Sequence, residues 1–140
     1  MTEPLPLSPQ GAPSACASQL GAVCWRMHRG RVEVLLITSR DTGRWVIPKG
    51  WPMTGLSAAE AAAREAWEEA GVQGEIADLP LGQFRYEKLM PAKPAIDCAV
   101  TVFGLRVQGL KDRFPERKQR RRKWFAAPKA ARKVQEPGLR

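Results

Sequence analysis

Four glutamates stand close together in a chain that is otherwise strongly basic. Glu60, Glu65, Glu68 and Glu69 fall within ten residues, although the 140-residue chain carries 23 Lys and Arg against 14 Asp and Glu. On a helix, like charges three or four residues apart cost roughly 0.2–0.5 kcal/mol per pair. A divalent cation with oxygen ligands would compensate for this repulsion. The alternative is a solvated helix face that Arg64 and other bases partly neutralise.

These glutamates are predicted to lie on a helix with recognisable ends. Ser57 precedes Glu60 by three residues, which is the S-x-x-E pattern of a capping box, and Gly71 stands where a left-handed residue can end a helix. At 100° per residue, the other three glutamates fall within about a 100° sector of the helix. The neighbouring sector would pack against a sheet through five alanines: Ala59, Ala62, Ala63, Ala66 and Ala70. We therefore expect an acidic ridge at the edge of a helix–sheet interface.

The remaining elements follow from apolar runs and from turn residues. The order of strands and helices predicts an α/β fold in which helices pack on the faces of a mixed sheet. The predicted strands cover 20–27, 32–39, 45–47, 76–90 and 95–108, with a structured loop at 48–56 and a second helix at about 126–134. Trp124 and Phe125 are interpreted as packing anchors, and Cys24 and Cys98 as core-filling side chains.

The charge of the chain limits the class of its partner. A formal charge of +9 and a pI near 10.1 favour nucleic acid, a membrane surface or a phosphorylated small molecule. Residues 111–133 hold eleven Lys and Arg against two acids, Asp112 and Glu116. This run is interpreted either as an electropositive rim for a polyphosphate or as a solvated surface.

The first residues differ in composition from the rest. Four prolines among the first thirteen residues predict a disordered tail at 1–18, followed by a single domain at 19–140. No stretch approaches 18 consecutive apolar residues, so no membrane-spanning helix is predicted. The N-terminus lacks the features of a signal peptide, and the three cysteines lack metal-ligand spacing. We therefore expect reduced thiols and a cytoplasmic location.

The spacing around the predicted helix resembles a known motif. Gly50 and, after thirteen residues, the sequence REAWEEAGV at 64–72 resemble the Nudix box, G-x5-E-x7-R-E-U-x-E-E-x-G-U, where U is a bulky aliphatic residue. Ala66 is a small residue for its U position, and Leu56 replaces the first glutamate of the box. In the family, that glutamate assists metal binding or braces the loop against the helix. The resemblance implies the fold of the Nudix hydrolase superfamily, an α/β/α sandwich, and hydrolysis of a nucleoside diphosphate linked to another group.

The resemblance also implies roles for individual residues. Glu65, Glu68 and Glu69 would coordinate Mg²⁺ or Mn²⁺, and Arg64 would orient these glutamates through salt bridges. Attack on a pyrophosphate requires neutralised oxygens and an activated water, which a carboxylate-bound cation can provide. Glu68, Glu69 and Arg64 would thus be catalytic. The general base is left open between a glutamate of the box and an acid of a later loop, with Glu69, Glu87 and Glu116 as candidates.

Short segments outside the box resemble one branch of the superfamily. DTGRWVIPKGW at 41–51, SR at 39–40 and RRRKWF at 120–125 look like the diphosphoinositol polyphosphate phosphohydrolases and their diadenosine polyphosphate-cleaving relatives. That branch holds densely charged substrates with Arg, Lys and Ser side chains from these segments. Trp51 beside such a site would narrow it or stack on a base. The matching substrate-binding residues are Ser39, Arg40, Arg44, Lys49 and one or both of Arg120 and Arg122.

Three functions are compatible with these patterns. The leading hypothesis is a metal-dependent pyrophosphohydrolase that acts on a highly phosphorylated small molecule. Leu56 also allows a sensor that binds a nucleotide or polyphosphate without cleaving it. A basic RNA-binding module ranks last, because no RNA-binding signature accompanies the basic residues, and nucleic acid is not the expected partner. The substrate, the metal stoichiometry and the oligomeric state are left open by the sequence.

Overall fold

The computed structural model describes residues 16–40, 42–90 and 92–134. The elements of the first half are β1 (Cys16–His28), β2 (Arg31–Thr38), β3 (Trp45–Val46), β4 (Lys49–Gly50) and α1 (Ala58–Ala70). Those of the second half are β5 (Val72–Ile76), β6 (Gly82–Met90), β7 (Lys93–Leu110), β8 (Arg122–Ala126) and α2 (Ala127–Lys133). Within these ranges, no helix is long and apolar enough to span a membrane.

The strands form one sheet in the order β3-β2-β1-β7-β5, with β4 beside β1, β6 beside β7 and β8 beside β2. The pairing of β1 with β7 is parallel, and the remaining pairs are antiparallel. One edge of the long strand β7 pairs with β1, and its other edge pairs first with β6 and then with β5. This arrangement confirms the predicted mixed sheet and α/β class.

Several element boundaries differ from the prediction. Residues 16–18, assigned to the tail, lie in β1, whereas residues 1–15 fall outside the described part of the chain. The strand predicted at 76–90 covers the last residue of β5, a loop at 77–81 and the whole of β6. Strand β5 itself begins directly after Gly71, earlier than predicted. The predicted loop at 48–56 contains β4, and β8 was not predicted at all.

The two faces of the sheet carry separate hydrophobic clusters. Alternate residues of β2 point to opposite faces, so Leu35 joins the cluster beneath α1 while Leu36 joins the cluster beneath α2. Phe125 is buried in the second cluster, and Trp124 packs against the first. The buried alanines of α1 allow close contact with the sheet: Ala59, Ala61, Ala62, Ala66 and Ala70. Cys24 and Cys98 are fully buried, which confirms the core-filling roles predicted for both thiols.

Helix α1 begins and ends at the predicted residues. Ser57 Oγ accepts a hydrogen bond from the backbone N–H of Glu60 (3.1 Å), and Glu60 Oε1 accepts one from the backbone N–H of Ser57 (2.8 Å). At the other end, Gly71 has a left-handed backbone with φ of 70° and ψ of 25°. The capping box and the glycine thus fix the length of the helix and the direction in which the chain enters β5.

Replacing Gly71 with alanine is expected to destabilise the fold by more than the ordinary cost of a left-handed residue, about 1–2 kcal/mol. A Cβ there would lie 2.6 Å from Phe114 Cδ1 and 2.7 Å from the carbonyl oxygen of Lys111. Gly55→Ala is the matched control, because Gly55 has a φ of 84° but open space around its Cβ position. Urea denaturation of both variants measures the difference, and equal losses of stability would contradict the packing argument.

Candidate active site

A cleft of about 250 Å³ lies where the end of β2, strand β4 and helix α1 come together. Helix α1 contributes Glu65 and Glu69 to its lining. The segment between β7 and β8 contributes Glu116 and Arg120. Acidic and basic side chains therefore meet in one cleft, as the sequence predicted, although they come from distant parts of the chain.

Strand β4 holds the two carboxylates of α1 through its backbone. Glu65 and Glu69 are buried, with 9% and 6% of their surface exposed. The Glu65 carboxylate lies directly against Gly50, so that a Cβ at position 50 would overlap it. Glu69 Oε1 accepts a hydrogen bond from the backbone N–H of Lys49 (3.3 Å). A glycine is required at position 50 because the carboxylate of Glu65 occupies the space of its side chain.

Arg120 provides the positive charge closest to these carboxylates. Its guanidinium lies 2.9 Å from Glu116 Oε1 and 3.9 Å from Glu69 Oε1. It also donates a hydrogen bond to the carbonyl oxygen of Thr38 at the end of β2 (3.1 Å). The backbone N–H of Glu116 donates to the carbonyl oxygen of Glu68 (2.9 Å). Arg120 and its segment thus close one side of the cleft and fix its distance from α1.

Burial raises the pKa of Glu69 to about 8, with the Arg120 guanidinium opposing the shift and the Glu65 carboxyl group adding to it. Burial likewise raises the pKa of Glu65, and the negative charges of Glu68 and Glu116 add to this shift. An anion is disfavoured in a buried site that already holds other anions. The pair would be fully ionised near neutral pH only with an additional positive charge in the cleft.

The donor chemistry of the cleft fits a divalent cation. Among the described residues, no group of three or more Asp, Glu, His or Cys side chains encloses a metal site. Magnesium, however, is commonly bound by one or two carboxylates together with substrate phosphates and waters. The buried pair of Glu65 and Glu69 has that composition, so these residues fit Mg²⁺ or Mn²⁺.

The structure does not give Arg64 the predicted role of orienting the glutamates. Arg64 is exposed and lines a different groove, which it shares with Leu56 and Trp67, and the ion pairs found among the described residues do not include it. Arg120 occupies the position beside Glu69 instead. Leu56 packs against the hydrophobic cluster beneath α1, so this end of the helix carries an aliphatic side chain where the family motif has a carboxylate.

Two predicted phosphate-binding residues lie outside the cleft. The Arg122 guanidinium donates to the carbonyl oxygen of Ala70 (2.6 Å) and lies 4.9 Å from the centre of the Phe114 ring. It therefore serves the C-terminal end of α1, where the last carbonyls of a helix lack intrahelical partners. Arg44 is exposed, and its Nε donates to Thr42 Oγ1 (3.1 Å).

The other four predicted phosphate-binding residues, Ser39, Arg40, Lys49 and Arg120, do line the cleft. Ser39 Oγ lies 2.6 Å from Thr42 Oγ1, and Arg40 donates to Gln119 Oε1 (3.0 Å). Lys49 Nζ lies 4.9 Å from the centre of the Tyr86 ring. The cleft therefore has cationic side chains on several sides of its carboxylates.

The acids proposed from sequence fall into two groups. Glu116 lines the cleft, whereas Glu87 is exposed on β6 and does not. Glu68 is half-buried on α1 and is not part of the lining, so its metal and catalytic roles stay predictions.

Sequence reasoning missed two residues that line the cleft, Gln19 and Lys88. Gln19 is a polar residue within a run of buried residues of β1, and this is the signal that could have revealed it.

Without divalent cations, the free energy of unfolding is expected to fall as the pH rises from about 5 to 8. Below about pH 4.5, Glu69 is protonated in both the folded and the unfolded chain. Between about 4.5 and 8, only the folded chain retains this proton, so this contribution to stability decreases through the window and is lost above it. Thermal unfolding in EDTA across this range measures the slope.

Two variants test whether Glu69 causes this pH dependence of the unfolding free energy. Glu69→Gln should flatten the slope, because an amide does not ionise. Glu75→Gln, at an exposed position of β5, should leave the slope as in the parent protein. An unchanged slope in Glu69→Gln would assign the effect to other groups.

Comparison with known proteins identifies the family. The model of the NUDIX domain matches residues 17–139. The chain is 37% identical to Nudix hydrolase 12, mitochondrial, of Arabidopsis thaliana over 103 residues, covering 71% of this chain and 51% of the relative. It is 35% identical to diphosphoinositol polyphosphate phosphohydrolase 3-beta of Bos taurus over 72 residues, covering 51% of this chain and 43% of the relative. The chain thus spans about half the length of these curated relatives.

Solved structures show the same fold. The dihydroneopterin triphosphate pyrophosphohydrolase of E. coli is similar with a TM-score of 0.67 and 22% identity, covering 88% of this chain and 89% of that one. The Ap4A hydrolase of C. elegans is similar with a TM-score of 0.57 and 20% identity, covering 84% and 85% of the two chains. With the cleft, the motif on α1 and the match along residues 17–139, the chain belongs to the NUDIX domain family.

Proposed function

We propose that this chain is a metal-dependent pyrophosphohydrolase that acts on a highly phosphorylated small molecule of the diphosphoinositol polyphosphate or dinucleoside polyphosphate type. The observation that carries the proposal is the buried pair Glu65 and Glu69 in a cleft that also holds Lys49 and Arg120. Two such carboxylates are unfavourable without a cation, and several basic side chains around one cleft favour a ligand with several phosphates. The named relatives include proteins of both substrate types.

The carboxylates of α1 would hold the metal ion. Glu65 and Glu69 are the ligands that the cleft offers, with Glu68 on the same helix and Glu116 on the facing segment as the nearest further acids. When bound, Mg²⁺ or Mn²⁺ supplies neutralisation of phosphate oxygens and a bound water of lowered pKa. Gly50 keeps Glu65 in place by offering it backbone rather than a side chain.

Separate side chains of the protein would accept the proton, position the charged groups and bind the phosphates. Glu69 receives the proton of the attacking water at its carboxylate, which the backbone N–H of Lys49 and the Arg120 guanidinium hold in position. Glu116 keeps Arg120 directed into the cleft through their 2.9 Å ion pair. Arg40 and the Lys49 ammonium bind phosphate oxygens and direct the scissile linkage towards the carboxylates.

A binding protein without turnover is the second candidate. Leu56 supports it, because this residue gives the loop before α1 an apolar contact with the core where the family motif has a carboxylate. A sensor of this kind would bind the same polyphosphate in the same cleft.

Hydrolysis of a substrate panel with Mg²⁺, Mn²⁺ or EDTA distinguishes the two candidates. The panel contains diadenosine tetraphosphate, a diphosphoinositol polyphosphate, a nucleoside triphosphate and ADP-ribose, with products separated by ion-exchange chromatography. We expect metal-dependent cleavage that falls by at least about 100-fold in Glu69→Gln, because a positioned base contributes a factor of this order. The exposed variant Glu75→Gln should keep the parent rate.

The Leu56→Glu variant completes this experiment. Cleavage by the parent protein supports the enzyme, whereas cleavage only after Leu56→Glu identifies the natural protein as a binder. Parent-like turnover in Glu69→Gln would remove Glu69 from the mechanism.

Gly50→Ala should lower kcat/KM by about 100-fold, because an added methyl group displaces the Glu65 carboxylate and a misplacement of about 1 Å can have this effect. Gly82→Ala is the matched control, since its Cβ would meet no atom within 4 Å. Steady-state kinetics and thermal unfolding are measured for both variants. Unchanged kinetics in Gly50→Ala would show that the position of Glu65 is not critical for the reaction.

A further inference from the structure

The last turn of α1 carries two glutamates and no basic residue of its own. Glu68 and Glu69 stand directly before Ala70, the final residue of the helix, and this turn contains no Lys or Arg. Negative charges are unfavourable there, because the C-terminal end of a helix carries a partial negative charge and carbonyl groups without intrahelical partners. The compensating cations therefore have to come from another part of the chain.

Two arginines of one segment supply these cations. The Arg122 guanidinium donates a hydrogen bond to the carbonyl oxygen of Ala70 (2.6 Å), and the Arg120 guanidinium lies 3.9 Å from Glu69 Oε1. The two arginines are two residues apart and contact neighbouring residues of α1. Arg120 lines the cleft, whereas Arg122 does not. The contact that Arg122 makes outside the cleft thus determines where the chain lies as it presents Arg120 to the cleft.

A phenylalanine holds Arg122 against the end of the helix. The guanidinium carbon of Arg122 lies 4.9 Å from the centre of the Phe114 ring, a distance at which cation–π attraction acts. Phe114 also packs closely on Gly71, where a Cβ would lie 2.6 Å from Phe114 Cδ1 and 2.8 Å from a guanidinium nitrogen of Arg122. Because only 22% of its side chain is exposed, Arg122 has little freedom to leave Ala70.

The other contacts of Arg120 do not locate it relative to α1. Its ion pair with Glu116 (2.9 Å) lies within one segment, so both partners move together. Its hydrogen bond to the carbonyl oxygen of Thr38 (3.1 Å), and the one from the backbone N–H of Arg121 to Thr38 Oγ1 (2.9 Å), fix the segment to β2. Besides the backbone hydrogen bond of Glu116, it is the side chain of Arg122 that fixes the same segment to the end of α1.

We propose that Arg122, supported by Phe114, is a positioning residue for Arg120. By holding the segment on the carbonyl end of α1, it keeps the Arg120 guanidinium where one cation serves both the buried carboxylate of Glu69 and a bound phosphate group. Arg122 itself contacts neither of these groups. The inference rests on the proposed function for the phosphate ligand of the cleft. It gives Arg122 an indirect role in place of the phosphate contact that the resemblance allowed for it.

A double-mutant cycle between Arg122 and Arg120 tests this role. The probe is methylenebisphosphonate with Mg²⁺, a pyrophosphate analogue whose carbon bridge resists hydrolysis, and isothermal titration calorimetry measures its affinity. Arg120→Gln should weaken binding by at least about tenfold, because a hydrogen bond from a charged donor accounts for a factor of about this size. Arg122→Gln should weaken it by about fivefold or more in the parent protein but by less than about twofold in the Arg120→Gln background, since residues that act through one another are not additive.

Two further variants make the test independent of net charge and of folding. Lys123→Gln removes one positive charge from the neighbouring position, where the ammonium lies 5.5 Å from the centre of the Phe125 ring, and it should keep the parent affinity. Phe114→Ala removes the ring that covers Arg122 but no charge, and it should weaken binding only where Arg120 is present. Thermal unfolding shows which variants are folded, and the cycle with Phe114→Ala decides if Arg122→Gln is not.

Equal losses of affinity for Arg122→Gln in both backgrounds would overturn the proposal, because Arg122 would then bind phosphate independently of Arg120. A folded Arg122→Gln protein with the parent affinity would also overturn it and would confine Arg122 to the stability of α1. The cycle needs no turnover, so its result is separate from the proposed function. Coupling without cleavage of any substrate in the panel would support the positioning role and overturn the hydrolase, whereas cleavage with additive losses would do the reverse.

Discussion

The burial of two like-charged carboxylates is the constraint on which the rest of the cleft depends. Glu65 and Glu69 are nearly excluded from solvent, and an uncompensated buried charge is among the most unfavourable features that a fold can carry. The backbone N–H of Lys49 in β4 donates a hydrogen bond to Glu69 on one side, and the Arg120 guanidinium forms an ion pair with Glu69 on the other. Because Arg120 also binds Glu116 and the end of β2, the compensation of charge and the shape of the cleft have the same origin.

The parts of the structure that depend on neighbours in sequence were predictable, and those that depend on tertiary pairing were not. The capping box and Gly71 involve contacts within a few residues, so α1 was predicted to within one residue at each end. Arg64, which the resemblance made the orienting residue for the glutamates, lies about 140° around the helix from Glu69. The guanidinium that does face Glu69 comes from the segment before β8, and β8 itself is defined only by its pairing with β2. Ser39, Arg40 and Lys49, named from the resemblance of their segments to one branch of the family, do line the cleft.

Strand β4 separates two kinds of interaction although it has only two residues. Gly50 turns towards α1 and accommodates Glu65, whereas Lys49 turns towards Tyr86 on the opposite face. The alternation of a β-strand therefore divides the cleft into an acidic side and a side of aromatic and amide groups.

The parallel pairing of β1 with β7 has a consequence for how the chain reaches this state. Leu20 pairs with Thr101, and Val34 of β2 pairs with Phe125 of β8, so β1 lacks β7 and β2 lacks β8 until those later strands have been synthesised. Long-range pairings of this kind close large loops and slow folding. The edges of β1 and β2 stay open during this interval, and open strand edges are the surfaces on which nascent chains associate wrongly. Arg120 lies just before β8, so its compensating charge is absent from the cleft until the segment after β7 has been synthesised.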